Sequence, residues 1–346
     1  MSDLSTTTPR PLRFAQLPPF PLECGEQLRH ATVAYHLDGE LNAARDNVIL
    51  VLHALTGTAD AVGDWWKGVV GPGCAIDTDR WAVLSPNLLG SCYGSSGPTE
   101  GGERFPAVTT RDMARAVGVL IESLGIPRVA LVTGGSLGGM VALEFVASFP
   151  GRAEAAVVFA APAAQSAAAI GWVHVQREAL RVGGAEGLAL ARQVAMLTYR
   201  TPDGLRERFG RRRNAGGAFG VQEWLSAHGA KLDARFDKAS YAALLDAMDA
   251  HDVGRGRAGT GERLRESHTQ LTGVGIPGDQ FYPAEEVQEW VKAAGGTYRT
   301  IVSEHGHDAF LIERARVSAI LTEALFTRCD SRRAANADAR SAREVA

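Results

Sequence analysis

The residues from Leu131 to Met140 contain the side chain of this chain that is best suited to chemistry. They read Leu-Val-Thr-Gly-Gly-Ser-Leu-Gly-Gly-Met and include a Gly-x-Ser-x-Gly motif. An apolar, β-branched run precedes the motif and a helical pattern follows it, which is the context of a nucleophile elbow. Gly134 and Gly138 allow the strand and the helix to approach closely around a sharp turn. The motif therefore predicts that Ser136 is a nucleophile above the carboxyl ends of a sheet; the alternative is a glycine-rich turn with an idle serine.

A serine nucleophile needs a base and an acid, and two later loops supply both residue types. The hydroxyl is a weak nucleophile at neutral pH, so it requires a histidine that a carboxylate orients. Asp279 follows a predicted strand, and residues 304–308 place His305 and His307 just before the last predicted helix. Behind this type of elbow the chain order is serine, then Asp or Glu, then histidine. Spacing does not choose between the two histidines, and Asp279 has an alternative role as the cap of the helix after Pro283.

Backbone amides at two predicted turns would stabilise the negative charge that develops during attack by a serine. The amide of Leu137 lies at the start of the helix after the nucleophile, where it can point at an oxyanion. The loop His53-Ala54-Leu55-Thr56-Gly57 follows a nearly all-apolar strand and is the natural source of a second donor. We assign that donor to the N–H of Leu55 by position; an ordinary strand-to-helix loop is the alternative.

Alternating strands and helices must bring these loops together. Apolar runs predict strands, and apolar residues at helical spacing predict helices. The predicted strands are Thr32–His36, Asn47–His53, Trp81–Leu84, Val129–Val132, Ala155–Ala160, His268–Ile276 and Thr297–Val302, and the predicted helices of the sheet domain are Thr110–Leu124, Met140–Phe149, Ala284–Ala294 and Ala309–Phe326. This alternation predicts an α/β fold with a mostly parallel, doubly wound sheet, whose carboxyl ends carry the site.

The pattern divides the chain into a sheet domain and an insertion. Between residues 163 and 265 strand signals give way to short helical runs rich in alanine, arginine and tryptophan, which predicts a helical cap. Residues 21–162 together with 266–327 form the predicted core. The first 20 residues are expected to be loosely ordered, and the Ala/Arg/Asp/Ser-rich tail of residues 328–346 to be mobile.

Composition excludes several classes of function. The chain has 346 residues, is 45% hydrophobic and carries a formal net charge of -3, so no global basic field attracts nucleic acid or an anionic membrane. No apolar signal core or membrane-spanning run is present. The four cysteines, Cys24, Cys74, Cys92 and Cys329, lack metal-ligand spacing, which predicts free thiols, no metal site and a soluble cytoplasmic protein.

Several spaced motifs extend this pattern along the chain. They are residues 53–57, residues 87–92 with 94–98, residues 134–140, Ala191-Arg192-Gln193 with Thr198-Tyr199-Arg200, Arg235-Phe236-Asp237 through Ala247-Met248-Asp249, and Gly306-His307-Asp308-Ala309-Phe310-Leu311. Together, from about residue 20 to residue 325, they resemble the homoserine O-acyltransferases, a family with the α/β-hydrolase fold. A combination of spaced motifs is more specific than any one of them.

The resemblance implies acyl transfer in two half-reactions. Ser136 would take an acetyl group from the co-substrate acetyl-CoA, and the hydroxyl of L-homoserine would take it from Ser136, in methionine biosynthesis and without a permanently bound cofactor. By matching position, His307 resembles the base, because it occupies the histidine of the Gly-His-Asp-Ala-Phe-Leu motif, and Asp279 resembles its orienting acid. Leu55 and Leu137 resemble the oxyanion donors. The family also implies a homodimer formed through the helical cap.

The resemblance further implies that Arg192, Tyr199 and Asp308 hold the amino-acid acceptor. A zwitterion needs a cation for its carboxylate and an anion for its ammonium, and a guanidinium binds a carboxylate in a bidentate manner. The alternatives are a solvated helix arginine for Arg192, a cap core residue for Tyr199 and a helix N-cap for Asp308. The basic cluster Arg211-Arg212-Arg213 is read as a solvated turn, with binding of CoA phosphates as the alternative.

The chain departs from the family pattern before Asp279, where the segment Thr269–Ile276 lacks a strongly apolar run. Leu137 stands where methionine is commoner, a change that keeps volume and amide. The identity of the substrates stays open at this point. The acyl group could be succinyl instead of acetyl, and the acceptor could be serine instead of homoserine, since the one methylene between these acceptors is worth only about 1–3 kcal/mol. An esterase with the same triad and a catalytically silent scaffold are the alternative classes.

Overall fold

The computed structural model describes residues 10–98 and 104–326. Its strands are β1 (Arg13–Gln16), β2 (Phe20–Pro21), β3 (Gln27–Leu28), β4 (Thr32–Asp38), β5 (Val48–Leu52), β6 (Val70–Gly71), β7 (Ile76–Asp77), β8 (Ala82–Pro86), β9 (Val129–Gly135), β10 (Ala153–Phe159), β11 (Gln270–Gly275) and β12 (Thr297–Thr300). Its helices are α1 (Thr110–Ser123), α2 (Leu137–Ser148), α3 (Ala167–Val182), α4 (Gly187–Thr198), α5 (Pro202–Phe209), α6 (Gly220–Asp233), α7 (Lys238–Asp249), α8 (Thr260–Arg265), α9 (Ala284–Ala294), α10 (Ala309–Ile312) and α11 (314–326).

Eight of the strands form one sheet in the order β1-β4-β8-β5-β9-β10-β11-β12. From β8 onward every pairing is parallel, whereas β1 and β4 are antiparallel at one edge. All five residues of β5 are fully buried, as expected for an apolar central strand covered on both faces. The predicted mostly parallel sheet with flanking helices is confirmed.

The register of the parallel strands aligns the loops that carry the chemistry. Leu52, the last residue of β5, lies opposite Gly134 of β9, and Gly135 lies opposite Phe159 of β10. Because parallel strands end at the same edge, the loops after β5, β9, β11 and β12 meet there. Those four loops hold all the predicted catalytic and oxyanion residues.

The inserted helices leave and rejoin the sheet domain at one place. The amide of Gln165 donates to the carbonyl of His251 (2.9 Å), and the amide of Val253 donates to the carbonyl of Ala163 (2.9 Å). Helix α8 lies within the segment 163–265 that the sequence assigns to the cap. It packs instead against α9 beside the sheet, where a Cβ on Gly261 would lie 2.6 Å from the Ala293 carbonyl oxygen. The helices that follow the insertion point are therefore α3 to α7.

Two sequence-based expectations need correction. Residues 1–9 of the segment expected to be loosely ordered lie outside the described residues, and its remainder contains β1, which pairs with β4 through backbone bonds that an apolar pattern does not reveal. The single helix expected from Ala309 to Phe326 is interrupted at Glu313, whose carboxylate accepts a hydrogen bond from the Ser303 hydroxyl (2.7 Å). The predicted mobile tail and Cys329 lie outside the described residues. Within residues 10–98 and 104–326, no helix is long and apolar enough to cross a membrane.

Candidate active site

The turn between β9 and α2 holds Ser136 in a backbone conformation that few residues other than glycine adopt. Its φ is 54° and its ψ is -126°, and its amide donates to the carbonyl of Phe159 (3.0 Å). A Cβ on Gly138 would lie 2.1 Å from the Leu52 carbonyl oxygen, and a Cβ on Gly134 would lie 2.7 Å from the Gly138 backbone. The glycines of the motif are thus required by close backbone approach, as the sequence predicts.

The side chain of Ser136 is 3% exposed and makes no capping hydrogen bond to its own helix. Met140 is the first residue of α2 whose amide bonds back to the turn, to the carbonyl of Ser136 (3.0 Å). The amide of Leu137 therefore belongs to the first turn of the helix, where N–H groups have no helical partner. A serine hydroxyl and a helix N-terminus lie side by side at this point.

Asp279 and His307 form a buried hydrogen-bonded pair. Oδ2 of Asp279 lies 2.7 Å from Nδ1 of His307, and the two residues are 5% and 2% exposed. Oδ1 of Asp279 accepts hydrogen bonds from the amides of Phe281 (2.8 Å) and Tyr282 (3.0 Å), and these bonds orient the carboxylate. Asp279 does not cap α9, whose N-cap is Pro283. This arrangement leaves the far ring nitrogen of His307 free to act.

Aromatic side chains surround His307 and hold its ring. The ring centroids of Tyr199, Tyr282, Phe281 and Phe310 lie 5.0, 5.3, 5.5 and 5.8 Å from that of His307. Its Nε2 has no hydrogen-bond partner in the part of the chain that the structure describes. The other candidate, His305, lies apart from this cluster, and its side chain lines a different cavity beside Trp224. Of the two histidines, only His307 has the carboxylate partner that a general base needs.

A small cavity of about 50 Å³ collects most of the predicted site residues. It is lined by Ala54, Leu55, Thr56, Ser136, Arg192, Tyr199, His307, Asp308, Phe310 and Leu311. Asp279 lies behind His307, as an orienting acid should. A larger cavity, of about 520 Å³, lies near the amino ends of β11 and β12 and contains none of the predicted residues.

The loop after β5, which contains Leu55, is a tight turn. The amide of Gly57 donates to the carbonyl of Ala54 (2.9 Å), and Nδ1 of the fully buried His53 lies 2.8 Å from the same oxygen. Nε2 of His53 accepts from the amide of Leu88 (3.0 Å). Burial lowers the pKa of His53 to about 4, so the imidazole is neutral near pH 7 and serves as a structural bridge between two loops.

Arg192 and Asp308 line the cavity with opposite charges. The guanidinium carbon of Arg192 lies 5.4 Å from the ring centroid of Tyr199, and no carboxylate pairs with Arg192 within the described residues. Burial raises the pKa of Tyr199 to about 12, which keeps its hydroxyl protonated. Asp308 occupies the N-cap position of α10, as the capping alternative predicts, but its side chain accepts no hydrogen bond from a helix amide. Its carboxylate pairs instead with Arg200.

Arg200 is a site residue that the sequence reasoning missed. Its guanidinium pairs with Asp308, and its neighbour Thr201 donates from its hydroxyl to the carbonyl of Glu304 (2.8 Å). The side-chain amide of Gln280 donates to the Arg200 carbonyl (2.6 Å). The turn between α4 and α5 is thus docked on the loops of Asp279 and His307. The Thr198-Tyr199-Arg200 motif marked this turn, but no local pattern indicated an ion pair.

Two further sequence observations have a structural outcome. The basic cluster Arg211-Arg212-Arg213 lies outside the catalytic cavity, and Arg211 and Arg213 stack on Phe219 with guanidinium-to-centroid distances of 5.6 and 3.8 Å. Among the described residues, no group of three or more His, Cys, Asp or Glu side chains is arranged to hold a metal ion.

The chain is similar to known proteins in both sequence and structure. The family model of the α/β hydrolase fold matches residues 47–218. The homoserine O-acetyltransferase of Thermobifida fusca is 41% identical, covering 89% of this chain and 91% of that protein. The crystal structure of homoserine O-acetyltransferase from Staphylococcus aureus superposes with a TM-score of 0.81 at 28% identity, covering 91% of this chain and 95% of that one. The acetyl esterase MekB superposes with a TM-score of 0.82 at 24% identity, covering 91% and 96%, a likeness of fold alone.

Proposed function

Because this chain belongs to the homoserine O-acetyltransferase family of the α/β hydrolase fold, we propose that it moves an acetyl group from acetyl-CoA to the hydroxyl of L-homoserine. The proposed route passes through an acetyl ester of Ser136, with acetyl-CoA as a co-substrate and no resident cofactor. The observation that carries the proposal is the hydrogen-bonded pair of Asp279 and His307. His307 lines one cavity with Ser136 and with Arg192, which forms no ion pair among the described residues.

In the first half-reaction, Oγ of Ser136 attacks the thioester carbonyl while Nε2 of His307 takes its proton. The carbonyl oxygen becomes an oxyanion, which the amides of Leu55 and Leu137 stabilise. Asp279 stabilises the imidazolium through Nδ1. The tetrahedral intermediate then collapses, the carbon–sulfur bond breaks, and the thiolate of CoA leaves with the proton from His307.

In the second half-reaction, the homoserine hydroxyl replaces the thiol. Nε2 of His307 takes the hydroxyl proton as the oxygen attacks the acetyl ester, and the same two amides bind the new oxyanion. Collapse breaks the bond to Oγ of Ser136, which recovers the proton from His307. The product is O-acetylhomoserine, whose place we propose to be methionine biosynthesis.

The acceptor is held by charge at both of its ends. Arg192 binds the carboxylate of homoserine, because its guanidinium faces the cavity and no described carboxylate neutralises it. Asp308 binds the ammonium group through the oxygen that Arg200 does not occupy. A transferase needs this clamp to favour an amino acid over water at the acyl-enzyme; an esterase has no use for it.

The replacement of Ser136 by alanine tests the covalent step. We expect Ser136→Ala to abolish the burst of free thiol from acetyl-CoA and to lower turnover by about 10⁶-fold, as when such nucleophiles are removed. Thiol release should be measured with acetyl-CoA and succinyl-CoA, each with homoserine or serine as acceptor. A normal burst in the mutant protein refutes Ser136 as nucleophile, and the preferred pair of substrates identifies donor and acceptor.

Hydrolysis of p-nitrophenyl acetate separates the transferase from an esterase. If homoserine captures the acetyl-enzyme, adding it accelerates turnover of this ester and yields acetylhomoserine. If water is the natural acceptor, homoserine does not change the turnover of this ester, and the esterase hypothesis replaces our proposal.

We also propose a homodimer in the cytoplasm. The cap helices α3 and α4 pack on each other and carry large exposed apolar side chains, namely Ile170, Trp172, Val175, Val182, Leu190 and Leu197. A surface of this kind favours contact with a second protein surface. Cys24, Cys74 and Cys92 are free thiols, which suits a reducing compartment.

A further inference from the structure

Arg235 connects the cap to the loop that presents the Leu55 amide. It follows α6, and its guanidinium Nη1 donates to the carbonyl of Thr56 (2.9 Å) and to the hydroxyl oxygen of Tyr93 (2.8 Å). The Tyr93 hydroxyl in turn donates to the backbone carbonyl of Arg235 (2.9 Å). Among the described residues, no other group donates to the Thr56 carbonyl. One exposed arginine thus anchors a catalytic turn from outside.

The next two residues of the same motif hold Arg235 in place. Phe236 is buried and packs edge-on against Tyr93 and Tyr241, with ring centroids 5.6 and 6.2 Å away. Asp237 caps α7, because its carboxylate accepts from the amide of Ser240 (2.6 Å). The motif Arg235-Phe236-Asp237 therefore combines a side chain that reaches the turn with two anchors in the cap.

Peptide geometry transmits this contact to the Leu55 amide. In a trans peptide the C=O and the following N–H point in opposite directions, and the described chain contains no cis peptide bond. With its carbonyl held by Arg235, the peptide after Thr56 points the Gly57 N–H away from the cap, toward the Ala54 carbonyl. The Ala54 carbonyl accepts that hydrogen, so the N–H of Leu55 points the opposite way.

We propose that Arg235 is a positioning residue for the oxyanion site: by holding the Thr56 carbonyl, it aims the Leu55 amide at the reacting carbonyl. This inference rests on the proposed acetyl-serine chemistry. His53 holds the same turn from the buried side, through the Ala54 carbonyl. Hydrogen bonds therefore hold the turn from two sides. Because one of them comes from the cap, catalysis depends on the position of the cap.

The test compares Arg235→Met, which keeps length and removes the donors, with Arg235→Lys, which restores one donor. Both half-reactions use the oxyanion site, so Arg235→Met should slow acetylation by p-nitrophenyl acetate and transfer to homoserine by the same factor, about tenfold. That is less than the 10²–10³ lost when an oxyanion donor is removed outright. KM values and Tm should stay unchanged, and Arg235→Lys should recover part of the rate.

A trifluoromethyl ketone gives a second readout. Ser136 adds to the carbonyl of this ketone and forms a tetrahedral oxyanion that occupies the oxyanion site. The ketone should therefore bind more weakly to Arg235→Met, in parallel with the loss in the acetylation and transfer rates. The control is Arg206→Met, since Arg206 is an exposed cap arginine whose partner is Asp203; it should change neither rate. If Arg235→Met does not fold, Tyr93→Phe removes one bond of the guanidinium and should cost two- to threefold, on the same oxyanion scale.

Three results would overturn the inference: unchanged rates, a change confined to KM for acetyl-CoA, or a loss of rate that only follows a fall in Tm. Unchanged rates would mean that the turn does not depend on Arg235. A change confined to KM for acetyl-CoA would mean that Arg235 contacts the acetyl donor, and a loss of rate that follows Tm would mean that its role is purely structural. Failure of the proposed function is distinguished by Ser136→Ala, because retained acetylation in that variant refutes the covalent route whatever Arg235 does.

Discussion

Hydrogen bonding separates the side chains that we propose to react from those that orient them. Both oxygens of Asp279 and both ring nitrogens of His53 are occupied, so these residues orient neighbours. Nε2 of His307 has no partner in the described chain, and the hydroxyl of Ser136 caps no amide. Unpartnered buried groups cost free energy in a folded protein. Nε2 of His307 is such a group, and its position in one cavity with Ser136 is typical of a catalytic site.

Arg192 provides a test of acceptor binding at the residue scale. We expect Arg192→Gln to raise KM for homoserine far more than KM for acetyl-CoA, because in the proposed function the guanidinium binds only the carboxylate of the acceptor. The loss of a charged hydrogen bond corresponds to about 1.5–3 kcal/mol, or roughly 10- to 150-fold in KM. Initial rates with each substrate varied in turn measure the two constants. Equal increases would argue against the clamp.

At the level of elements, the strand-to-helix turn is constrained by backbone approach. A Cβ on Gly138 would lie 2.1 Å from the carbonyl oxygen of Leu52, and backbone atoms of a central strand do not move aside. By contrast, a Cβ on Gly220, at the start of α6, would meet only the ring of Phe209 at 3.5 Å and the carbonyl oxygen of Arg212 at 4.0 Å. The two glycines thus differ in the space available to a methyl group.

The substitution Gly138→Ala should therefore destabilise the protein, by about 1–3 kcal/mol or more, as overpacking does. It should also lower kcat, because the turn carries Ser136 and the Leu137 amide. Gly220→Ala is the matched control and should leave activity unchanged and stability within about 1 kcal/mol. Urea unfolding and thiol release measure both effects. Equal stability in the two variants would contradict this account of the motif.

A buried histidine, His251, joins the inserted cap helices to the sheet domain, and its imidazole can take up a proton. Nδ1 of His251 lies 2.9 Å from the Thr110 hydroxyl, and Nε2 lies 3.1 Å from the Pro162 carbonyl oxygen where the inserted segment begins. Burial lowers the pKa of His251 to about 4; Asp252 opposes this shift, and Arg255 and Arg111 add to it. Burial lowers the pKa of His53 equally, to about 4.

We therefore expect stability to fall on acidification between about pH 6.5 and pH 4. In this pH range the two histidines bind protons in the unfolded chain but not in the folded chain. The free energy of unfolding therefore decreases by about 1.4 kcal/mol per pH unit for each histidine. His251→Gln should halve the contribution of this pair to the slope, and replacement of the exposed His30 should not change it. Urea midpoints across the window measure the slope. A slope that His251→Gln leaves intact would contradict the buried-histidine account.

At the scale of the whole molecule, the cap joins the active site to the exposed apolar surface. The α4–α5 turn docks on the His307 loop, and Arg235 binds the turn of Leu55. Helix α4 also carries Arg192 and the exposed Leu190 and Leu197. Pairing of two caps would therefore steady the elements that complete the site.

Val175, an exposed residue of α3, tests this arrangement. Val175→Asp places a charge on the apolar surface and should convert a dimer into a monomer in light scattering, with turnover lowered rather than abolished. Asp233→Asn, on the exposed end of α6, is a control that should leave the mass unchanged. A monomeric parent protein would refute the proposed homodimer.

The sequence by itself determined the elements whose signals are local. The apolar run of β5 and the spaced glycines around Ser136 are properties of neighbouring residues, so pattern and sterics identify them. The order of serine, acid and histidine then indicated Asp279, and the family motif selected His307. Each of these inferences used residues adjacent in the chain or a known order of loops.

Only the tertiary structure decided which distant groups meet. Arg200 and Asp308 are 108 residues apart, Arg235 and Thr56 are 179 apart, and β1 is an edge strand because it pairs with β4. No local pattern specifies such partners, since one guanidinium suits any carboxylate or carbonyl within reach. The free energy of packing the whole chain selects the partner, and with it the residues that align the site.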